Sequence, residues 1–359
     1  MALSFFRNGS RRKKRELVLA VDLGSRTTKA VQLQRRDEGY ALCGYAVLDA
    51  PIFDKTLSTE LLSEHLKTVC QSVVAKTKSV TLTAGVSDAL VRQVEMPMIP
   101  VDDLRSVLKL NSRNYLQQDL SGHVFDCQVI PPWHQAEPAE PVKGPPGLQK
   151  QKVLVAGAKQ QLVSDYVEGA RGAGLTADHI MPSLLGPINA FEAAMPEIFK
   201  NHAVALVDVG FKNSSICIVY KGELVLTRTV GIGGDRLTHG LSESMNISYA
   251  EAEGIKVGMA HEVQPTLETF LTPLGRELRA SIDFFEHQQD KTVHQVFLSG
   301  GSSQSELIVK ALQAELMVDC KPWNALGFLQ VDLPPQQAAE IEQVAPQLTV
   351  ALGAALASF

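Results

Sequence analysis

Long hydrophobic runs are missing from this 359-residue chain. No apolar stretch approaches the roughly 18 residues that suggest a membrane-spanning helix, so we expect no transmembrane helix. Apolar residues make up 45% of the chain and charged residues 20%. This balance is typical of a globular protein and excludes a disordered or fibrous one.

Sequence motifs for paired metal ligands and for the nucleophile elbow of hydrolases are also missing. The five cysteines lie far apart and form no Cys-x-x-Cys pair, which argues against a zinc site or a thioredoxin motif and favours a reduced compartment. The nine histidines show no His-x-x-x-His or His-Glu-x-x-His pairing, so we expect no metal held by histidine. No Gly-x-Ser-x-Gly elbow is present, which argues against acyl transfer.

Charge is unevenly distributed along the chain. Six cations and no acid lie within residues 7–15. The whole chain has a net charge of −5, so the chain without these six cations has a net charge of −11. A body this acidic does not suit a protein that coats nucleic acid, and we expect no nucleic-acid partner.

The first 15 residues do not have the order of an export signal, because the apolar Met-Ala-Leu-Ser-Phe-Phe precedes the basic run instead of following it. We interpret residues 1–15 as a basic flexible tail in the cytosol. A second interpretation is a weak contact with anionic lipid, since two phenylalanines beside six cations suit a membrane surface.

Two segments of the chain share one pattern, which predicts that they begin two related halves of the protein. Residues 17–33 and 204–219 each contain an apolar strand, an Asp-x-Gly turn with small hydroxyl residues, and a second apolar strand. Their aspartates, Asp22 and Asp208, lie 186 positions apart. The strand before each aspartate is almost continuously apolar, as in a sheet that is covered on both faces.

The remaining pattern alternates strands and helices. Further strands are predicted at 41–48, 80–86, 91–96, 123–130, 152–158, 224–230 and 293–298, and helices at 59–75, 102–118, 160–173, 305–316 and 348–356, with a helical region from 233 to about 289. Residues 131–148 contain six prolines and two glycines and are predicted to be a mobile loop.

Several of these features suit a nucleotide held between two lobes. Glycines after a strand let backbone N–H groups approach a phosphate, small hydroxyls such as Ser25, Thr27 and Ser214 add hydrogen bonds, and Lys29 can add a charge unless it lies on the far face of its strand. Two carboxylates across a cleft would hold hydrated Mg²⁺. Glu253 and Lys256, at i and i+3 of a helix, could bind the ribose, and the turn at Gly300-Gly301 leaves room for adenine.

Each of these elements also has a purely structural interpretation: a hairpin cap for the aspartates, a solvated helical pair for Glu253 and Lys256, and a strand-to-helix turn for the two glycines. Because they occur together in one order, we favour nucleotide binding. The metal candidates are Asp22 and Asp208, and the nucleotide candidates are Asp22, Gly24, Ser25, Thr27, Thr28, Lys29, Asp208, Gly210, Lys212, Asn213, Ser214, Gly233, Gly234, Glu253, Lys256, Gly300, Gly301 and Ser302.

Five stretches in this order resemble the actin/Hsp70/sugar-kinase ATPase superfamily, and within it the PilM family of type IV pilus assembly proteins and its relative FtsA. They are Ala-Val-Asp-Leu-Gly-Ser-Arg-Thr-Thr-Lys-Ala (20–30), Gly-Gly-Asp-Arg-Leu-Thr (233–238), Ile-Ser-Tyr-Ala-Glu-Ala-Glu-Gly-Ile-Lys (247–256), Leu-Ser-Gly-Gly-Ser-Ser (298–303) and Ala-Pro-Gln-Leu-Thr-Val-Ala-Leu-Gly-Ala-Ala-Leu (345–356). The resemblance spans residues 17–357.

The resemblance implies an α/β, two-lobed actin-like (ribonuclease H-like) fold with subdomains 1A, 1C, 2A and 2B. After the tail at 1–15, the implied division is 1A at 16–87, an inserted 1C at 88–175, a return to 1A at 176–202, 2A at 203–232, 2B at 233–291, a return to 2A at 292–345 and a closing helix on 1A at 346–359.

It also implies a function. PilM-like proteins are cytoplasmic, bind ATP with Mg²⁺, hydrolyse it slowly or not at all, and dock the N-terminal cytoplasmic tail of a PilN-type inner-membrane protein between 1A and 1C. Such a protein would lie at the inner membrane through its partners and could assemble into a ring or dimer, in a pilus or a related secretion machine. No catalytic residue is assigned.

The second loop departs from the family pattern, because Phe211 and Lys212 stand where relatives have small or hydroxyl residues. Two alternatives stay open. One is an FtsA-like filament protein at the membrane, although no C-terminal amphipathic helix of the FtsA type follows the closing helix. The other is a small-molecule kinase, although residues 181–190, a place for its base, contain no carboxylate.

Overall fold

Three β-sheets and the helices around them make up this computed structural model, which describes residues 15–53, 57–130 and 149–359. The tail prediction therefore lies outside the described residues except for Arg15, whose guanidinium pairs with Asp178 at 2.9 Å. The predicted loop at 131–148 lies wholly outside them. Within the described ranges, no helix combines the length and the apolar character that crossing a membrane requires.

The first sheet has six strands in the order β14-β3-β2-β1-β4-β8. The first hairpin, predicted from its Asp-x-Gly turn, forms its antiparallel centre, and β4 and β8 add in parallel. Helices α1 (Thr59–Val73) and α3 (Gln160–Gly172) cover one face and bury leucines such as Leu62 and Leu66. The strands are β1 (Leu17–Leu23), β2 (Thr27–Arg36), β3 (Gly39–Asp49), β4 (Ser79–Ala84), β8 (Thr176–Pro182) and β14 (Gln330–Val331).

A small three-stranded antiparallel sheet, in the order β5-β7-β6, lies between β4 and α3 in the chain. Helix α2 (Val101–Leu116) packs Leu104 and Leu108 against Met96 and Val153 of this sheet, which gives the module a core of its own. Asp102 and Asp103 begin this helix, where its dipole favours acidic side chains. The strands are β5 (Ala89–Pro97), β6 (His123–Val129) and β7 (Lys150–Lys159).

The second lobe contains a five-stranded sheet in the order β11-β10-β9-β12-β13, again with an antiparallel hairpin beside a parallel pair. Its helices bury leucines and phenylalanines such as Leu274 and Phe285 against the sheet. The strands are β9 (Ala203–Val209), β10 (Ser214–Tyr220), β11 (Glu223–Val230), β12 (Gln295–Ser299) and β13 (Cys320–Pro322), and the helices are α6 (Gly234–Met245), α7 (Tyr249–Gly258), α8 (Gln264–Gln289) and α9 (Glu306–Leu316).

A core shared by both lobes joins them beneath the cleft. The ring of Phe191 lies 4.7 Å from that of Phe297 and 5.2 Å from that of Trp323, and all three are buried. The elements here are α4 (Gly186–Ala194), α5 (Pro196–Asn201), α10 (Pro335–Val344) and α11 (Thr349–Leu356). Helices α4 and α11 cross at glycines, which allows their backbones to touch.

Two of the expected subdomain boundaries need correction. Helix α3 falls inside the range 88–175 expected for the insertion, but it packs on α1 of the first sheet, so the three-stranded module ends near residue 159. Residues 323–333 fall inside the range expected for the second lobe, yet β14 pairs with β3 of the first sheet and Trp323 joins the shared core. The other boundaries stay predictions.

Candidate nucleotide-binding site

The two predicted aspartates end strands in opposite lobes. Asp22 lies near the end of β1, where the hydroxyl of Thr83 on the parallel neighbour β4 donates a hydrogen bond of 2.8 Å to its Oδ1. Asp208 ends β9 in the same way, and Ser299 of β12 donates to its Oδ1 at 3.0 Å. Each carboxylate is thus held by a hydroxyl from a parallel strand, and the two halves repeat the same arrangement.

Lys29 connects the two carboxylates electrostatically. It is the strand partner of Asp22 in β2, and its Nζ lies 3.3 Å from Asp22 Oδ2. Burial raises the pKa of Asp208, Lys29 and the hydrogen bond from Ser299 oppose that rise, and the charge of Asp22 adds to it. Asp22 and Lys29 are therefore close enough to Asp208 to act on its ionisation. Lys29 lies on the cleft face of its strand, which resolves the alternative that the sequence left open.

This environment predicts a pH-dependent stability change. Because the pKa of Asp208 is raised above 3.8 in the folded state, its ionisation opposes folding, and this cost appears as the pH rises from about 4 through the folded-state pKa. Asp208→Asn keeps an acceptor for Ser299 and removes the charge. We expect the nucleotide-free variant to melt above the parent at pH 7, with the difference shrinking toward pH 4. Melting curves across this range test it; a variant that melts lower at pH 7 would contradict the assignment.

Glycine is required where the loops of the second lobe meet. Gly300 has a φ of +89°, and a Cβ there would stand 2.5 Å from the carbonyl oxygen of Val209 and 3.0 Å from Asp208 Oδ1. A Cβ at Gly233 would stand 2.4 Å from the carbonyl oxygen of Phe211. The backbone of the Gly300-Gly301 turn and that of the Gly233-Gly234 turn therefore both run directly beside the loop that follows Asp208.

The turns of both Asp-x-Gly hairpins are closed by their own glycines. A Cβ at Gly24 would meet the carbonyl oxygen of Thr27 at 2.5 Å and Lys29 Nζ at 2.7 Å, and one at Gly210 would meet the carbonyl oxygen of Asn213 at 2.6 Å. Neither turn has room for a side chain at its glycine, and a glycine turn of this kind is the backbone that phosphate-binding loops use.

Glu253 and Lys256 of α7 lie beside the Gly233-Gly234 turn. Lys256 Nζ lies 2.7 Å from Glu253 Oε2 and donates to the carbonyl oxygen of Gly234 at 3.2 Å. Burial works to raise the pKa of Glu253, but hydrogen bonds from Lys256 and Thr238 outweigh it and hold this pKa below its ordinary value. Ser302 lies beside the same turn, because a Cβ on Gly234 would stand 3.2 Å from the Oγ of Ser302. The Gly233-Gly234 turn, helix α7 and the loop at Ser302 therefore converge on one place.

The hydroxyls of two candidates are engaged by other parts of the protein. Thr28 is buried behind the sheet, where its hydroxyl lies 2.7 Å from His65 Nε2, because alternate residues of a strand face opposite sides. The hydroxyl of Ser214 is occupied by the carbonyl oxygen of Ile232 at 2.7 Å. The side chain of Lys212 is exposed on the surface. The nucleotide roles of Thr28, Ser214 and Lys212 stay predictions, and the hydroxyls of Thr28 and Ser214 already have partners within the protein.

Other candidates lie at the edge of the cleft. Ser25 is exposed and Thr27 is half-buried in the first turn. Asn213 of the second turn reaches across to the first lobe, where its amide donates to Ser87 Oγ at 2.9 Å. Gly301 and Ser302 begin a short 3-10 helix directly after Gly300.

Sequence reasoning missed three residues that shape the site, Thr83, Ser299 and Thr238, and a fourth, Arg26, that lies beside it. Ser299 belongs to a motif that was noticed, and its position opposite Asp208 follows once β12 and β9 are paired. Thr83 lies in a strand with no unusual pattern, so nothing in the sequence marks it as a partner of Asp22.

Across the described ranges, no group of three or more histidine, cysteine or acidic side chains could hold a metal ion. Mg²⁺ needs few protein carboxylates, since this ion keeps several waters and takes its other ligands from substrate phosphates. Its placement at Asp22 and Asp208 stays a prediction.

Two lobes with a repeated strand–hairpin unit around a cleft define the actin-like ATPase fold. The solved structure of a PilM–PilN type IV pilus biogenesis complex superposes with a TM-score of 0.81 at 20% identity, over 96% of this chain and 98% of that one. MreB5 of Spiroplasma citri bound to AMPPNP superposes with a TM-score of 0.51 at 10% identity, over 95% of each chain.

A family model described as type IV pilus assembly protein PilM matches residues 20–359, and the chain belongs to this family. The cell division protein FtsA of Bacillus subtilis is 30% identical over 114 residues, which are 32% of this chain and 25% of that protein. This chain therefore aligns with only a quarter of the length of that curated relative.

Proposed function

We propose that this protein binds ATP with Mg²⁺ between its lobes and serves as an actin-like assembly element of a type IV pilus or a related secretion machine. The observation that carries the proposal is the pair of matching loops, each with an aspartate held by a hydroxyl of a parallel strand, with Lys29 paired to Asp22 and acting on Asp208. The fold is shared with MreB5 of Spiroplasma citri, which was solved bound to AMPPNP.

The residues divide by the part of the nucleotide that they would hold. The turns at Gly24-Ser25 and Gly210-Asn213 would present backbone N–H groups to the phosphates, Lys29 a charge, and Glu253 with Lys256 hydrogen bonds to the ribose. The turn from Gly300 to Ser302 would lie along the adenine. When bound, Mg²⁺ would neutralise phosphate charge, and Asp22 and Asp208 would hold it through its waters.

We further propose that the partner is the cytoplasmic N-terminal tail of a PilN-type inner-membrane protein. Membership of the PilM family and the fold shared with a protein solved in a PilM–PilN complex support this partner. Binding such a tail would place the protein on the cytoplasmic side of the inner membrane.

A cavity of about 470 Å³ suits the tail. It lies between β5 of the three-stranded module, the end of β4 in the first lobe and the edge strand β11 of the second. Arg92, Lys159 and Arg228 line it together with Asp88, whose pKa is raised by burial against the influence of Lys159. An extended peptide with apolar and acidic side chains matches these walls.

Filling the cavity should prevent the tail from binding. Thr229 lines the cavity and is exposed on the edge strand, so Thr229→Trp adds a large ring there without disturbing the core. We expect the affinity for a labelled synthetic tail peptide to fall at least tenfold, as measured by fluorescence anisotropy. Thr269→Trp, at an exposed threonine of α8 outside the cavity lining, is the matched control and should bind like the parent. Equal affinity in both variants would place the peptide elsewhere.

A further inference from the structure

Two side chains beside the phosphate loops have no place in the nucleotide site described above. Phe211 follows Asp208 in the second loop and breaks the expected pattern of small residues, and Arg26 is an exposed cation in the turn of the first loop. The structure brings them together: the guanidinium carbon of Arg26 lies 5.0 Å from the centre of the Phe211 ring. This is the distance of a cation–π contact, and it joins one lobe to the other.

Arg26 has a second partner in the opposite lobe. Its Nη2 lies 3.6 Å from Oε1 of Glu253 on α7. The other oxygen of Glu253 is held by Lys256 at 2.7 Å and by Thr238. One cation of the first lobe thus contacts both a loop and a helix of the second lobe, and the helix side of the contact is fixed by its own hydrogen bonds.

The exposure of these side chains places the contact at the mouth of the cleft. Arg26 is 45% exposed, whereas Glu253 is 19%, Lys29 16% and Asp22 10% exposed. The exposure therefore falls from Arg26 inward to the carboxylate at the end of β1. A nucleotide that reached Asp22 from solvent between the two loops would pass the Arg26–Phe211 pair.

We propose that Arg26, Phe211 and Glu253 form a latch across the cleft that controls how fast nucleotide enters and leaves. This inference rests on the proposed nucleotide site. In the latched arrangement the lobes are held together over the phosphates; opening it breaks a cation–π contact and an ion pair at once. Neither contact needs the nucleotide, so the latch slows exchange in both directions and contributes little to equilibrium affinity.

The dissociation rate of a fluorescent ATP analogue, chased with unlabelled ATP in a stopped-flow instrument, tests the latch. We expect Arg26→Ala and Phe211→Ala each to release the analogue about tenfold faster, while the equilibrium Kd changes less than threefold. Arg36→Ala is the matched control, since Arg36 is also exposed and paired, with Asp332 at 2.8 Å, but on the far end of β2. It should release the analogue at the parental rate.

The double variant separates a latch from two independent effects. Because Phe211 acts only through Arg26, Arg26→Ala with Phe211→Ala should release the analogue no faster than Arg26→Ala alone. Rates equal to the parent in both single variants would overturn the latch. A Kd raised in proportion to the faster release would also overturn it, because Arg26 would then be a phosphate ligand and not a gate.

Failure of the proposed nucleotide site gives a different result. If the parent protein binds no analogue at all, the site is wrong, and the latch is judged on the nucleotide-free protein. There, thermal unfolding of the two single variants and the double variant should show coupling between Arg26 and Phe211. Strictly additive changes in stability would show that the two lobes are not joined through this pair.

Discussion

Asp22→Asn combined with Asp208→Asn should abolish the stabilisation of the protein by ATP and Mg²⁺. A ligand that binds only the folded state at a hundredfold excess over its Kd stabilises that state by about 2.7 kcal/mol. For a chain of this length, this corresponds to a rise in Tm of roughly 4 °C. The double variant should show no rise, because it loses both carboxylates that suit Mg²⁺ while each amide still accepts the hydrogen bond from Thr83 or Ser299.

The control for this experiment carries the same change in net charge elsewhere. Asp119 and Asp332 are exposed acidic residues outside the cleft, and Asp119→Asn with Asp332→Asn should keep the full rise. The double cleft variant must also unfold cooperatively without ligand; it relieves the cost of burying the Asp208 charge but leaves Lys29 without its ion pair with Asp22. A full ATP-dependent rise in the cleft variant would show that the nucleotide is held without these carboxylates.

Gly353→Ala should be among the most destabilising single substitutions in the chain. The added Cβ would stand 1.8 Å from the carbonyl oxygen of Gly186 and 2.6 Å from its carbonyl carbon, so helices α11 and α4 would have to separate. Overpacking of a core costs about 1–3 kcal/mol and sometimes more, and a backbone obstacle cannot move aside as a side chain can. We therefore expect a loss of about 3 kcal/mol or more in chemical unfolding.

Gly254→Ala is the matched control, because it makes the same change in helix α7, where a Cβ would meet nothing within 4 Å. There we expect a gain of about 0.5–1 kcal/mol, as glycine weakens a helix relative to alanine. If Gly353→Ala were as stable as the parent, the close crossing of α4 and α11 under the two lobes would be wrong.

Much of the fold could be predicted because its signals are local. The hairpins β1–β2 and β9–β10 follow from apolar strands flanking Asp-x-Gly turns, and α1 from leucines at helical spacing. The actin-like fold and the PilM family, predicted from five stretches in order, are confirmed. Elements without a local signal were missed: β14 has only two residues, and its pairing with β3 depends on tertiary packing.

In the candidate site, too, the residues with a local sequence signal could be predicted and the others could not. Asp22, Asp208 and the glycines could be predicted because a tight turn after a strand limits which residues fit. The face on which Lys29 lies was left open by the sequence, and it depends on the alternation of the strand, which turns Thr28 toward His65 and Lys29 toward Asp22. The roles of Thr83 and Arg26 depend on contacts between distant segments, which spacing along the chain does not contain.

A crystal structure of the protein grown with Mg²⁺ and AMPPNP tests the central claim most directly. We expect the triphosphate between the turns at Gly24 and Gly210, with the metal on the side of Asp22 and Asp208 and the adenine beside Gly300. Clear density for the nucleotide at any other place, or an empty cleft in crystals grown at saturating AMPPNP, would contradict the account.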